Sequence, residues 1–119
     1  MNCVNWESSR TMLKPILFAA LALGPLGAIA STPKQIWDEQ CASCHGLNGS
    51  GDTKEGRKRH IKDYADPKVQ ADFSDTGLLK DLLLGVASDD GTFRMPAFKD
   101  KLSGAEAREL VALIRSFKK

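Results

Sequence analysis

The segment Cys41-Ala42-Ser43-Cys44-His45 constrains this chain more than any other, because it has the C-x-x-C-H spacing of covalent haem attachment. Two cysteines at this spacing can each bond through sulfur to the same porphyrin, and the adjoining histidine can offer its imidazole to the iron. The motif therefore predicts one haem c, attached through two thioethers at Cys41 and Cys44, with His45 as an iron ligand.

Other interpretations of the motif are open at this stage. A structural zinc site needs four ligands, and the 119 residues hold only three cysteines and two histidines, so the remaining ligand is His60 or Cys3. A thioredoxin-like dithiol needs strands that alternate with helices, and the sequence has almost no period-2 alternation. A disulfide-stapled domain is disfavoured. Cys3 lies in an N-terminal segment that we expect to be removed, and the two remaining cysteines can form only one small ring.

The N-terminal residues have the features of an export signal. Basic residues precede an uncharged apolar run over residues 16–30, which ends in the small-residue pattern Ala-Ile-Ala of a cleavage site. We predict cleavage after Ala30, so that residues 1–30 are an N-terminal extension and signal peptide and residues 31–119 form one domain. The protein is then expected in the periplasm. If the run stays uncleaved, it is close to the length of a membrane anchor.

Charge is nearly balanced, with 17 Lys and Arg against 15 Asp and Glu, a formal net charge of +2 at pH 7. No strong overall field for nucleic acid or anionic lipid is implied. We therefore expect no nucleic-acid partner and, after cleavage, no stable membrane insertion. A chain this short buries a modest core by itself, which a large flat apolar cofactor would extend.

Capping signals and apolar periodicity predict three main helices. The first begins at a capping box on Thr32 and runs into the cysteines. The second begins near Ser74 or Asp75, carries four leucines and ends before Gly85. The third begins at a capping box on Ser103 and runs to the end of the chain with one apolar face. On the first helix, one face is formed by Ile36, Trp37, Cys41 and Cys44. The predicted class is therefore all-α.

The segment between the first two helices, residues 46–73, is rich in glycine and charge. At most one helical turn is predicted in it, after Asp66-Pro67. A compact domain keeps so long a loop only if the loop wraps something or is functional, and a haem edge suits that role. The basic run over residues 54–60 is either a solvated loop or a patch that orients an acidic redox partner.

Elimination leaves two candidates for the second axial ligand of the iron. Beyond the motif, the mature chain has one methionine, Met95, and one histidine, His60. The proline that follows Met95 favours an extended backbone, which can hold a thioether against a haem, whereas His60 lies in a charged segment. We predict Met95 as the ligand and His60 as a surface residue. Phe93 and Phe98, which flank Met95, are expected to shield the haem together with Trp37.

Taken in order, these features of residues 31–119 resemble the small monohaem class I c-type cytochromes. The shared features are the helix that enters the C-x-x-C-H motif, the long loop, the leucine-rich helix, the segment Met95-Pro96-Ala97-Phe98 and the capped last helix. The resemblance implies a small cytochrome c fold, in which three main helices and loops surround one covalently bound haem and the first and last helices pack together.

The resemblance also implies the function, an electron carrier and not an enzyme. A haem ligated by His45 and Met95 would shuttle electrons between redox protein partners, a donor and an acceptor, and the carrier is expected to be a monomer. If Met95 is not a stable ligand, the alternative is a peroxidase-like or gas-binding haem protein.

Family members often place a proline carbonyl against the ligand histidine. Here the first proline after His45 is Pro67, and another carbonyl is expected to hold the ring.

Overall fold

The computed structural model describes residues 30–119, and the predicted signal peptide lies outside this range apart from Ala30. The elements are α1 (Pro33–Ile36), a π-helical turn (Trp37–Cys41), α2 (Ala42–His45), α3 (Lys54–Lys58), α4 (Pro67–Asp72), α5 (Asp75–Leu84), β1 (Val86–Ala87), β2 (Phe93–Met95) and α6 (Gly104–Ser116). Among these helices none is long and apolar enough to cross a membrane. The mostly helical architecture confirms the predicted all-α class.

Helix α1, the π-helical turn and α2 form one helical segment that carries the C-x-x-C-H motif. The Thr32 hydroxyl accepts a hydrogen bond from the Gln35 N–H, and the Gln35 side chain accepts one from the Thr32 N–H, so the predicted capping box is confirmed. The side of the segment that faces the core is buried, Trp37 most completely, with 1% of its surface exposed. The motif is thus fixed by a cap at one end and by packing along its length.

The second and third predicted helices are also confirmed. Ser74 caps α5, and Gly85 ends it with a φ of 76°, a value that favours glycine. Ser103 forms the predicted capping box with Glu106 at the start of α6. Helix α6 packs against both α1 and α5, so the first and last helices meet as the resemblance implied. The buried core consists of Ile36, Trp37, Cys41, Leu78, Leu82, Phe98, Leu102, Leu110, Val111 and Ile114.

A buried hydrogen-bond network joins α4 to the end of α6. Gln70 is 5% exposed, and its amide donates to the main-chain oxygens of Tyr64 and Ile114 at 2.7 and 2.8 Å. The Arg115 guanidinium donates to the Gln70 side-chain oxygen at 2.9 Å and to the Asp75 carboxylate at 2.7 Å. Because the buried Gln70 amide has protein partners for both its nitrogen and its oxygen, the network holds the segment that carries Tyr64 against the core.

The long segment after the motif has more helix than the sequence predicts. Helix α4 supplies the one expected turn, whereas α3 is not predicted, because Gly56 at its centre lowers helix propensity. Tertiary contact requires this glycine, since a Cβ on it would lie 2.5 Å from the Cys44 carbonyl oxygen and would collide with the Gly51 carbonyl oxygen. The Thr53 hydroxyl caps α3 by accepting from the Gly56 N–H and donates to the Cys44 carbonyl at 2.7 Å. Helix α3 therefore supports the motif directly.

A short hairpin carries Met95. Strands β1 and β2 are antiparallel, with Val86 opposite Met95, so the backbone at Met95 is extended as predicted. The register then shifts, which leaves Arg94 as the extra residue of a β-bulge on β2. At the end of α5, a Cβ on Gly85 would lie 2.6 Å from the Met95 carbonyl oxygen. The glycine thus permits the close approach that seats the Met95 segment against α5.

Phe93 does not take the shielding position expected from the sequence. Its side chain is 59% exposed, whereas Phe98 is 6% exposed and belongs to the core. The reason is topological: Phe93 lies beside the exposed turn of a two-stranded hairpin, where no second layer covers it. The prediction is wrong for Phe93, and Phe98 is buried as expected.

Replacement of Gln70 by alanine is expected to lower the free energy of unfolding by about 2–3 kcal/mol, because two main-chain carbonyls and part of the Arg115 fork lose their partners. Denaturant unfolding of the purified protein measures the change. Lys68→Ala, at an exposed position of the same helix, is the matched control. Equal stability of the two variants would show that the network contributes nothing.

Replacement of Gly56 by alanine is expected to destabilise the protein by about 1–3 kcal/mol, because the added methyl group forces α3 away from the motif. Gly104→Ala is the control, since a Cβ there meets only the Arg108 guanidinium, at 3.5 Å. Thermal unfolding of both variants provides the comparison. Similar midpoints would contradict the close packing of α3 against the motif.

Candidate haem-binding site

One cavity of about 490 Å³ brings together the residues that the sequence singles out. Cys41, Cys44, His45 and Met95 all line it, and the exposed His60 also contributes to its wall. The apolar part of the wall comes from Trp37, Ile61, Phe73, Leu78, Leu82, Val86, Pro96, Phe98 and Ile114. The volume lies within the ~300–1,000 Å³ typical of small-molecule and cofactor pockets.

Both cysteines of the motif are free thiols. Burial, with a smaller contribution from Cys44, raises the pKa of Cys41 to about 11. A thiol that stays protonated at neutral pH is a weak nucleophile, whereas reactive dithiols have lowered pKa values. The surroundings of Cys41 therefore disfavour the thioredoxin-like interpretation.

The zinc interpretation is not supported by the arrangement of the side chains. Cys41, Cys44, His45 and His60 share the cavity wall. Even so, within residues 30–119 no three His, Cys, Asp or Glu side chains lie close enough together to hold one metal ion. The four side chains are spread around a cavity instead of converging on a point.

The imidazole of His45 is neutral and held between aromatic rings. Burial lowers the pKa of His45 to about 4, so at neutral pH the ring keeps the lone pair that a metal ligand needs. The ring stacks on Tyr64, with centroids 5.4 Å apart and 7° between the planes, and lies 5.6 Å from the tilted ring of Trp37. Packing on two rings restricts the orientation of the imidazole.

Nδ1 of His45 is buried and has no hydrogen-bond partner among residues 30–119. The expected backbone carbonyl is therefore not found at this ring. No proline precedes Pro67 in this stretch, and the chain forms α3 instead, where the Gly56 oxygen accepts from the Ile61 N–H at 2.9 Å. A neutral imidazole, two thiols and a thioether around a largely apolar cavity form a donor set that fits a haem.

Three hydrogen bonds fix the end of the helical segment that carries the motif. The buried indole N–H of Trp37 donates to the Gly46 carbonyl at 3.0 Å. The Thr53 hydroxyl donates to the Cys44 carbonyl, and the Gly51 N–H donates to the His45 carbonyl at 2.8 Å. These donors satisfy carbonyls that the end of a helix leaves without intrahelical partners.

Sequence reasoning gave no role to several polar residues of the cavity wall. Tyr64, the only tyrosine of the chain, lies in the long loop and stacks on His45. Burial, with smaller effects from Asp81 and Cys41, raises the pKa of Tyr64 to about 12, so its hydroxyl stays protonated. Arg59, Lys62 and Arg94 also line the cavity. Tyr64 was the one that sequence could have flagged, since a lone aromatic residue in a charged loop is a candidate for burial.

Comparison with known proteins places the chain in a family. The sequence model of the family described as cytochrome c oxidase, cbb3-type, subunit III matches residues 28–114. A solved structure named KustC0563 c-type cytochrome is 30% identical, with a TM-score of 0.62, and the match covers 75% of this chain and 100% of that one.

A second solved structure, of a tyrosine-to-phenylalanine mutant of the same neighbour, is 28% identical, with a TM-score of 0.62. That match covers 74% of this chain and 100% of the other. No curated protein sequence matches the chain. From the family match and the shared fold, the chain belongs to the family of the cbb3-type subunit III cytochrome domain and is a small monohaem c-type cytochrome.

Proposed function

We propose that the protein is a one-electron carrier with a single haem c, bound through thioethers at Cys41 and Cys44 and ligated by His45 and Met95. Family membership supports haem-based electron transfer. The observation that carries the residue assignment is that these four side chains line one cavity. When bound, the haem supplies one-electron chemistry, because its iron can alternate between the ferric and the ferrous state.

The two cysteines and His45 hold the cofactor on a preorganised segment. Hydrogen bonds from Trp37 and Thr53 fix the backbone of the motif through protein contacts alone. Burial keeps the His45 imidazole unprotonated, so no proton has to leave when the ring binds iron at neutral pH. Stacking on Tyr64 limits rotation of the ring, which favours ligation in both oxidation states.

Met95 would complete the coordination from an extended strand. Its backbone is held by pairing with Val86 and by the close approach of Gly85. A thioether stabilises ferrous iron better than imidazole does, so ligation by His45 and Met95 favours a comparatively high reduction potential. The apolar wall, including Phe98, would exclude water and disfavour the additional charge of the ferric state.

The proposal also includes export of the protein to the periplasm and electron exchange with redox proteins. The features of residues 1–30 support secretion to the periplasm, or anchoring if the apolar run is retained. The carrier would take electrons from one redox protein and pass them to another, without binding a substrate at the iron. The near balance of charge fits a carrier that meets several partners, because no single strong field dominates its surface.

Joint replacement of Cys41 and Cys44 by alanine is expected to abolish covalent haem, because both proposed thioether sites are removed. Acid–acetone extraction followed by a pyridine haemochrome spectrum checks this. Ser43→Ala, at the exposed position between them, is the control and is expected to keep the haem c bands. Covalent haem that survives the double replacement would refute the attachment site.

Met95→Ala is expected to remove the weak far-red sulfur-to-iron band of the ferric protein. The reduction potential should fall by on the order of 0.1 V, a fraction of the ~0.8 V range that axial ligands set. Optical spectra and redox titration measure both changes. His60→Ala, which alters the other candidate ligand of the cavity wall, is expected to change neither.

Either of two results would contradict ligation by Met95. The first is an unchanged spectrum in Met95→Ala, and the second is loss of the native spectrum in His60→Ala. Absence of the sulfur band in the unmodified protein would favour the alternative of an open-coordination haem enzyme or sensor.

A further inference from the structure

Two arginines at the rim of the cavity each donate a hydrogen bond to the main-chain carbonyl of the other. The Arg59 guanidinium donates to the Arg94 carbonyl at 3.0 Å, and the Arg94 guanidinium donates to the Arg59 carbonyl at 3.2 Å. The residues are 35 positions apart in the sequence, and both line the cavity. We call this reciprocal pair the arginine clasp.

The clasp joins the two parts of the chain from which the proposed iron ligands come. Arg59 directly follows α3, which is capped by Thr53, and the Thr53 hydroxyl donates a hydrogen bond to the Cys44 carbonyl. Arg94 directly precedes Met95 on β2. The two hydrogen bonds therefore connect the support of the motif to the strand of the second ligand.

The backbone departs from regular structure at both ends of the clasp. His60 has a φ of 53°, a positive value that is uncommon outside glycine, so the chain turns sharply after Arg59. Arg94 is the extra residue of the β-bulge, a device that redirects a side chain out of the regular ladder. Such irregularities persist where the surrounding contacts stabilise them, as the clasp does here.

The electrostatics of the clasp also need explanation, because two guanidinium groups repel each other. Each donates to a main-chain oxygen, and a hydrogen bond from a charged donor is stronger than a neutral one. The Glu55 carboxylate, 3.5 Å from Nε of Arg59, offsets part of the repulsion. Both hydrogen bonds are exposed to solvent, and what marks the pair is its reciprocal geometry, in which each guanidinium reaches the main-chain oxygen of the other residue.

We propose that Arg59 and Arg94 are positioning residues that keep Met95 at the iron by holding β2 against the support of the motif. This inference rests on the proposed function. When the clasp is intact, β2 cannot swing outward, and an added ligand must compete with a thioether held in place. When the clasp is lost, β2 is tied only to β1 and α5, and displacement of Met95 costs less.

The test uses imidazole as an added ligand of the ferric haem protein. Binding breaks the bond between iron and the Met95 sulfur and forms one to the added nitrogen, so loss of the far-red band reports it. We expect Arg59→Gln and Arg94→Gln each to raise the imidazole affinity about tenfold, which is ~1.4 kcal/mol. That lies at the upper end of the usual net contribution of one hydrogen bond. The double variant should exceed either single variant.

Two control variants test whether the effect on imidazole affinity comes from the loss of the clasp itself, and not from the loss of a positive charge or from lower stability of the fold. Arg57→Gln removes the same charge from α3, at a residue that pairs with Asp52 and does not line the cavity. Val111→Ala weakens the fold by removing buried side-chain volume from α6, at a residue that does not line the cavity. Both are expected to leave the imidazole affinity within about twofold of the unmodified protein, the usual scatter between independent sites.

Each outcome decides the proposal. A tenfold rise in the two clasp variants alone supports it. Clasp variants within twofold of the unmodified protein would overturn it, and so would an equal rise in Arg57→Gln or Val111→Ala. If the unmodified protein lacks the sulfur band, ligation by Met95 fails and the clasp proposal fails with it. If the band is present and the clasp variants bind imidazole normally, the clasp proposal alone fails.

Discussion

The buried indole of Trp37 is the contact on which the rest of the site depends. Its ring lies 4.9 Å from that of Phe117, just after α6, and 5.6 Å from that of His45. Its N–H donates to the Gly46 carbonyl, so one side chain joins the first helix, the last helix and the end of the motif. Because the indole is fully buried, its hydrogen bond has no competition from water and fixes the chain where the iron ligand emerges.

The helices and the hairpin surround one cavity of about 490 Å³. Polar interactions join the elements around it. Gln70 and Arg115 tie α4 to α6 on one side, and the arginine clasp ties α3 to β2 on another. The largely apolar wall of the cavity suits a flat apolar cofactor such as haem.

Prediction from the sequence succeeded where the signal is local. Both capping boxes and the glycine that ends α5 are found where residue type and spacing indicate, since a cap needs only a few neighbouring residues. Prediction was incomplete where the stabilising contact is distant along the chain. Helix α3 was missed because glycine has a low helix propensity. Glycine is required at position 56 because a Cβ there would collide with the Cys44 carbonyl, a contact that the local sequence does not reveal.

The sequence by itself determined the chemistry: a C-x-x-C-H motif, the single methionine of residues 31–119 and helices with capped ends. Only the tertiary structure decided which residues surround that chemistry. It stacked Tyr64 on His45, left Nδ1 of His45 without a hydrogen-bond partner among residues 30–119 and exposed Phe93. These outcomes depend on the packing of segments far apart in the chain, whereas a motif depends on covalent spacing. The spacing is written in the sequence, and the packing arises only when the whole domain folds.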